Sequence, residues 1–104
     1  MNAYVEKGAI IQYKATEDVA YHKAVVVGEL LGIARAEAKA DEVVALDVEG
    51  VFALDKKDKT KLTVGTRVWY NDGVTATKAE GKPTGIVFAD ATADDKTVNV
   101  KINV

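Results

Sequence analysis

The chain of 104 residues has no cysteine and no serine. Without cysteine it can form no disulfide, no thiolate metal site and no Cys nucleophile. Without serine, its one histidine, His22, has no Ser–His–Asp triad to serve as base. Long apolar runs are also missing. No stretch approaches the ~18–20 apolar residues that a membrane-spanning helix needs. The start, MNAYVEKG, lacks the basic residues and apolar stretch of a signal peptide. These absences predict a soluble protein made in a cytoplasm, with no membrane partner. Charge of one sign is lacking as well: 14 Lys and Arg stand against 16 Asp and Glu, net −2, and the signs are interleaved. No basic block marks an electrostatic footprint for nucleic acid. Aromatics, at 7%, are too few for a base-stacking sheet.

Ligand-binding motifs are equally scarce. Gly81-Lys82 is followed by Pro83 rather than Ser or Thr, and the upstream glycine of a phosphate loop is absent. Asp90, Asp94 and Asp95 lack the spacing and closing Glu of an EF-hand. A lipoyl-type carrier presents its lysine beside methionines, and the only Met is Met1. The many carboxylates leave paired-carboxylate chemistry open by number alone, but nearly all fall in turns or on the polar side of alternating segments. The residues therefore predict no catalytic site, no metal and no cofactor. A binding or structural protein is expected, with a carboxylate hydrolase as the contrasting reading.

What is present is β patterning. Hydrophobic residues make up 48% of the chain, enough for a self-sufficient core in one domain, 1–104. They come in short bursts rich in Val and Thr, separated by Gly, Asp, Asn and Lys. Val98, Val100, Ile102 and Val104 alternate with Thr97, Asn99, Lys101 and Asn103, which predicts a strand with one buried and one wet face. Val44, Leu46, Val48, Phe52 and Leu54 share one parity, with Gly50 on the same track. That predicts a long strand bent at Gly50, or two strands with a break there. Asn71-Asp72-Gly73 predicts a hairpin with positive φ in its turn, returning over 74–78. Residues 85–91, apolar on both faces, read as a central strand. Earlier strands are expected at 9–13, 24–27 and 30–34. Residues 33–41 are good helix formers yet alternate with period two, which favours a strand to about Glu37 and then a turn over a short helix. The charged cluster DKKDKTK at 55–61 reads as a solvated loop. No internal repeat stands out. The fold class predicted is all-β: a small barrel or sandwich of about eight short strands, with at most one short helix.

Trp69 and Tyr70 are adjacent on a strand and so face opposite sides. In a one-layer sheet at most one faces the core. Aromatics are enriched at subunit contacts, and Trp69 and Tyr70 are the expected residues for one.

The order of these segments resembles the tailed-phage capsid decoration, or cement, proteins. It is carried by VGELLGIA at 27–34, VALDVEGVF at 44–52, LTVGTRVWYND at 62–72, GIV at 85–87 and VNVKIN at 98–103. The resemblance covers most of the chain. It implies a non-enzymatic β domain, without cofactor, that assembles as a homotrimer, or less often a dimer. Such a protein binds the major capsid protein on the outside of a phage or prophage head, after synthesis in the bacterial host cytoplasm. One departure concerns the turn before 27–34: family members often carry a glycine there, and this chain has Ala20-Tyr21-His22-Lys23. The arm 1–7 is the least patterned segment. An arm that orders on binding covers a large surface, so Asn2, Ala3, Tyr4, Val5 and Glu6 are the expected capsid contacts. The alternative is a β binding or accessory module outside a capsid.

Overall fold

The computed structural model describes residues 9–104. Among these residues the fold is all-β: nine strands in two antiparallel sheets, with no helix and no closed barrel. The first sheet takes β1 (Ile10–Lys14), β2 (Ala24–Val27), β3 (Leu30–Ala34) and β4 (Val43–Asp47), in the order β1-β4-β3-β2. The second takes β5 (Val51–Asp55), β6 (Arg67–Tyr70), β7 (Val74–Thr75), β8 (Thr84–Val87) and β9 (Thr97–Ile102), in the order β5-β9-β8-β6-β7.

The even-numbered apolar track behaves as its parity requires. Val44, Leu46, Val48 and Leu54 are buried, and Phe52 packs against the core. The break at Gly50 separates two strands that lie in different sheets, and Gly50 makes the crossing with φ 126. In β9, Val98, Val100 and Ile102 are buried while Thr97, Asn99 and Lys101 are exposed.

Several boundaries differ from expectation. The strand expected to reach Glu37 ends at Ala34, and no helix replaces it. The chain bends instead, so that Ala38 exchanges both backbone hydrogen bonds with Val19 (2.8 and 2.9 Å) and closes the end of the sheet. The hairpin after β6 forms, with Asp72 and Gly73 at positive φ, but its return strand is only Val74–Thr75. There the Thr75 hydroxyl takes the N–H of Thr77 that would have continued the ladder. The strand β8 is central, yet it ends at Val87, and Phe88 is exposed.

The structure also corrects the reading that the chain has no repeat. The second sheet reproduces the first: β1, β2, β3 and β4 correspond to β5, β6, β8 and β9, in the same spatial order. Registers match. Ala24↔Ile33 corresponds to Arg67↔Ile86, Ala34↔Leu46 to Val87↔Val100, and Ile11↔Leu46 to Phe52↔Val100. The bridge Val19↔Ala38 corresponds to Leu62↔Ala91. Turn capping matches too: Glu42 accepts from the Lys39 N–H, as Asp95 accepts from the Thr92 N–H. The signal lies in residues 32–42 and 85–95. They are identical at Gly32/Gly85, Ile33/Ile86, Ala36/Ala89, Ala38/Ala91, Ala40/Ala93 and Asp41/Asp94. The excursion 71–82 and the added residues in 57–61 obscure it elsewhere.

The two glycines share one packing role. A Cβ on Gly32 would lie 2.7 Å from Leu46 Cδ1, and one on Gly85 would lie 2.6 Å from Val100 Cγ1. Each sheet thus has a face, here face A, on which a large β4 or β9 side chain lies over a bare β3 or β8 backbone. Face B is the opposite side.

Face A of the second sheet is the main core, built from Leu54, Val68, Val87, Val98, Val100 and Ile102 among others. It is covered by Leu31, Ile33 and Ala24, which belong to face B of the first sheet. Burying a side chain such as Ile33 contributes roughly 1.5–3 kcal/mol. Asn103 fastens the join. It was expected on a wet face, but it lies half-buried with φ 58, just past the end of β9. Its Oδ1 accepts from the Leu31 N–H (2.9 Å), and its Nδ2 donates to the carbonyls of Leu31 (2.9 Å) and Val48 (2.7 Å). The side-chain amide thus acts as a one-residue strand between the sheets.

Candidate interaction surface

The chemistry-bearing residues do not converge. His22 is exposed in the turn after Val19, with its ring stacked on Tyr21 at 3.8 Å. Its φ of 67 matches that of Gly65 (φ 90) in the corresponding turn of the second sheet. The N–H groups of His22 and Gly65 donate to Ala34 and Val87 respectively. The turn in which this chain departs from a glycine pattern therefore keeps the glycine geometry, with histidine held left-handed.

Apart from Asp47 and Asp55, which end β4 and β5, the carboxylates lie outside the strands, where several are engaged locally. Asp18 and Asp90 accept from the N–H groups of Ala40 and Val64, and Asp58 accepts from the Thr75 hydroxyl. The groove with the most acidic lining holds Asp55, Asp58, Asp94 and Asp95, but Lys56, Lys57, Lys59 and Lys96 interleave with them. Lys56 ties that groove together by donating to the carbonyls of Thr60 and Thr92 (both 2.6 Å). Among the described residues, no group of three or more His, Cys, Asp or Glu is placed to hold a metal ion. No helix among them is long and apolar enough to cross a membrane.

What the fold does present is sheet surface. On the second sheet, Arg67 pairs with Ile86 and Trp69 with Thr84 across β6 and β8. Ile86 pairs with Lys101, and Val51 with Lys101, across β9. These pairs share face B, away from the core. Trp69 and Ile86 are half-buried there, Val51 is 41% exposed, and Phe88, beyond the end of β8, is 57% exposed. Arg67 edges the patch, donating to the Thr84 hydroxyl (3.3 Å) and the Val104 carbonyl.

Tyr70 points the other way. Its ring packs against the core and lines a groove with Tyr13, Val25 and Asp72 where the two sheets meet. Burial, and then the charges of Asp55 and Asp72, raise its phenol above the usual value near 10. The two aromatics expected at a subunit contact thus occupy opposite faces. The expected capsid-contact residues Asn2, Ala3, Tyr4, Val5 and Glu6 lie outside the described residues. Sequence reasoning missed that Ile86 shares the outer face with Trp69, because 85–91 looked apolar on both sides and was read as a central strand.

The described residues thus present broad apolar and mixed sheet faces, with the polar side chains dispersed. A family model described as phage cement protein matches residues 5–102. The chain belongs to the phage cement protein family, a structural family of bacteriophage capsids. No curated protein and no solved structure matches.

Proposed function

We propose that this protein decorates the outer surface of a phage or prophage head. It binds the major capsid protein there and stabilises the shell without catalysing a reaction. The carrying observation is the family match over residues 5–102. The dispersed carboxylates and the broad sheet faces support the same reading.

In this proposal the chain acts as one domain, 1–104, assembled as a homotrimer, with Trp69 and Tyr70 at subunit contacts. Residues 2–6, on the arm 1–7, reach the capsid. The Ala9 carbonyl accepts from the Val48 N–H (2.9 Å), and β1 is an edge strand. Ala9 therefore lies at the rim of a sheet rather than in its interior.

The test mixes purified protein with expanded, undecorated heads of its own phage. Co-sedimentation at a saturating, symmetric copy number is expected, with a higher temperature of head disruption. Deleting residues 1–7 should weaken binding. Full-length protein that fails to sediment with heads overturns the proposal.

A further inference from the structure

We infer that the stacked rings of Tyr21 and His22 are a contact element of this protein, held out from the first sheet to enter an apolar pocket on the surface of the head shell. The inference rests on the preceding section for the identity of the partner.

The duplication supplies the argument. Residues 20–23 and 63–66 are the same turn, one on each sheet. Each runs from a bridge, Val19↔Ala38 or Leu62↔Ala91, into a strand, β2 or β6. Three backbone hydrogen bonds repeat. The Lys23 N–H donates to the Ala20 carbonyl as that of Thr66 does to Thr63 (both 3.1 Å). The His22 N–H donates to Ala34 as that of Gly65 does to Val87 (2.9 and 2.8 Å). The Ala34 N–H donates to Lys23 as that of Val87 does to Thr66 (3.0 and 2.9 Å). The third residue is left-handed in both turns, with φ 67 at His22 and φ 90 at Gly65. Glycine takes that conformation without a clash, whereas a side chain adds strain. The second sheet makes the turn with glycine, so the turn itself does not require the imidazole. Strained residues of this kind cluster where proteins grip ligands.

What His22 adds is surface. It is exposed, and Tyr21 beside it is 61% exposed. The rings stack at 3.8 Å with 25° between their planes. Among the described residues, the imidazole makes no other aromatic contact and enters none of the ion pairs. The counterpart tip has Val64 and Gly65, and so no ring pair. The charges near the stack are already matched, Lys23 with Glu17 (3.3 Å) and Lys39 with Asp18 (3.8 Å). The tip therefore offers an aromatic plate, with a phenol and an imidazole for hydrogen bonding, inside a rim of compensated charge. Such rings lose little entropy on binding, and the fixed turn orients them in advance. An anchor of this make-up fits a protein pocket with apolar walls and a hydrogen-bond acceptor, ringed by polar contacts.

Three variants of the full chain test it on expanded, undecorated heads. Tyr21→Ala should weaken binding at least tenfold, and His22→Gly at least threefold. His22→Gly should do so with an unchanged or higher urea midpoint, because it relaxes the turn. Val64→Ala, at the counterpart tip, should bind within twofold of the unmodified chain. A second readout needs no variant. His22 is the sole histidine, and its reaction with diethyl pyrocarbonate, read by mass spectrometry on its own peptide, should slow at least fivefold on heads. Folded Tyr21→Ala and His22→Gly proteins that bind like the unmodified chain would overturn the inference. So would a His22 that reacts equally fast free and bound, or a Val64→Ala loss as large as that of Tyr21→Ala. In each of these cases the unmodified protein still binds, and attachment to heads stands. An unmodified protein that does not bind heads removes both.

Discussion

Removing the side chain of Asn103 should loosen the join between the two sheets by more than any ordinary surface substitution. Its amide makes three hydrogen bonds, two with the Leu31 backbone and one with the Val48 carbonyl, all part-buried. At about 1 ± 0.5 kcal/mol net for each, their loss amounts to roughly 2–4 kcal/mol. That is a large share of the ~5–15 kcal/mol that holds a domain folded. The φ of 58 separates the side chain from the backbone. Asn103→Gly removes the bonds and relaxes the left-handed residue. Asn103→Ala removes the bonds and adds a left-handed penalty of about 1–2 kcal/mol. Asn103→Asp keeps an acceptor for the Leu31 N–H but sets a carboxylate oxygen against two carbonyls, so it should be at least as harmful as Ala. Urea titrations read the change as a lower midpoint at constant slope. Amide exchange at Leu31 should quicken in the Gly and Ala variants more than in Asp, where its acceptor survives. An Asn103→Gly protein within 0.5 kcal/mol of the unmodified chain would refute the view that this amide substitutes for a strand.

Three further outcomes follow from the packing and the turns. Gly85→Ala places a Cβ 2.6 Å from Val100 Cγ1 and 2.7 Å from the Lys101 carbonyl oxygen. It should cost about 1–3 kcal/mol in a urea melt, and more than Gly32→Ala, whose nearest neighbours are all Leu46 side-chain atoms. His22→Val, a β-branched residue at φ 67, should lose about 1–2 kcal/mol relative to His22→Gly, read as a shift in thermal midpoint. Tyr70 has its folded value raised by burial and by Asp55 and Asp72. Its contribution to stability is therefore complete below the unfolded value near 10 and is lost as pH rises through the folded one. Stability measured from pH 9 upward should fall, and Tyr70→Phe should lessen the fall.

The cement proteins' task places its demands on surfaces, and surfaces are what the sequence describes least directly. The period-two track through Val44, Leu46, Val48 and Leu54, and again through Val98, Val100 and Ile102, was legible because side-chain alternation is a local property of an extended chain. So was the hairpin, since Asp72 and Gly73 carry their positive φ within a few residues. The absence of cysteine and serine was legible from composition alone. Trp69 and Tyr70 could be set on opposite faces of a strand, though not the neighbours that each face holds.

Tertiary structure decided the rest, because the deciding contacts join residues far apart in the chain. Asn103 looks like the polar side of a strand until its partner Leu31 arrives from 72 residues away. Whether 44–54 was one bent strand or two depended on which sheet each half joined, and Gly50 permits either. The duplication is written in 32–42 and 85–95, but it becomes plain only when β3 and β8 occupy equivalent places. Face A and face B are properties of the paired sheets, and no single strand contains them. The sequence by itself determined an all-β chain, because side-chain alternation and turn residues are local. The fold alone determined that one sheet is covered by the other, while the corresponding face of the first sheet stays part-exposed among the described residues.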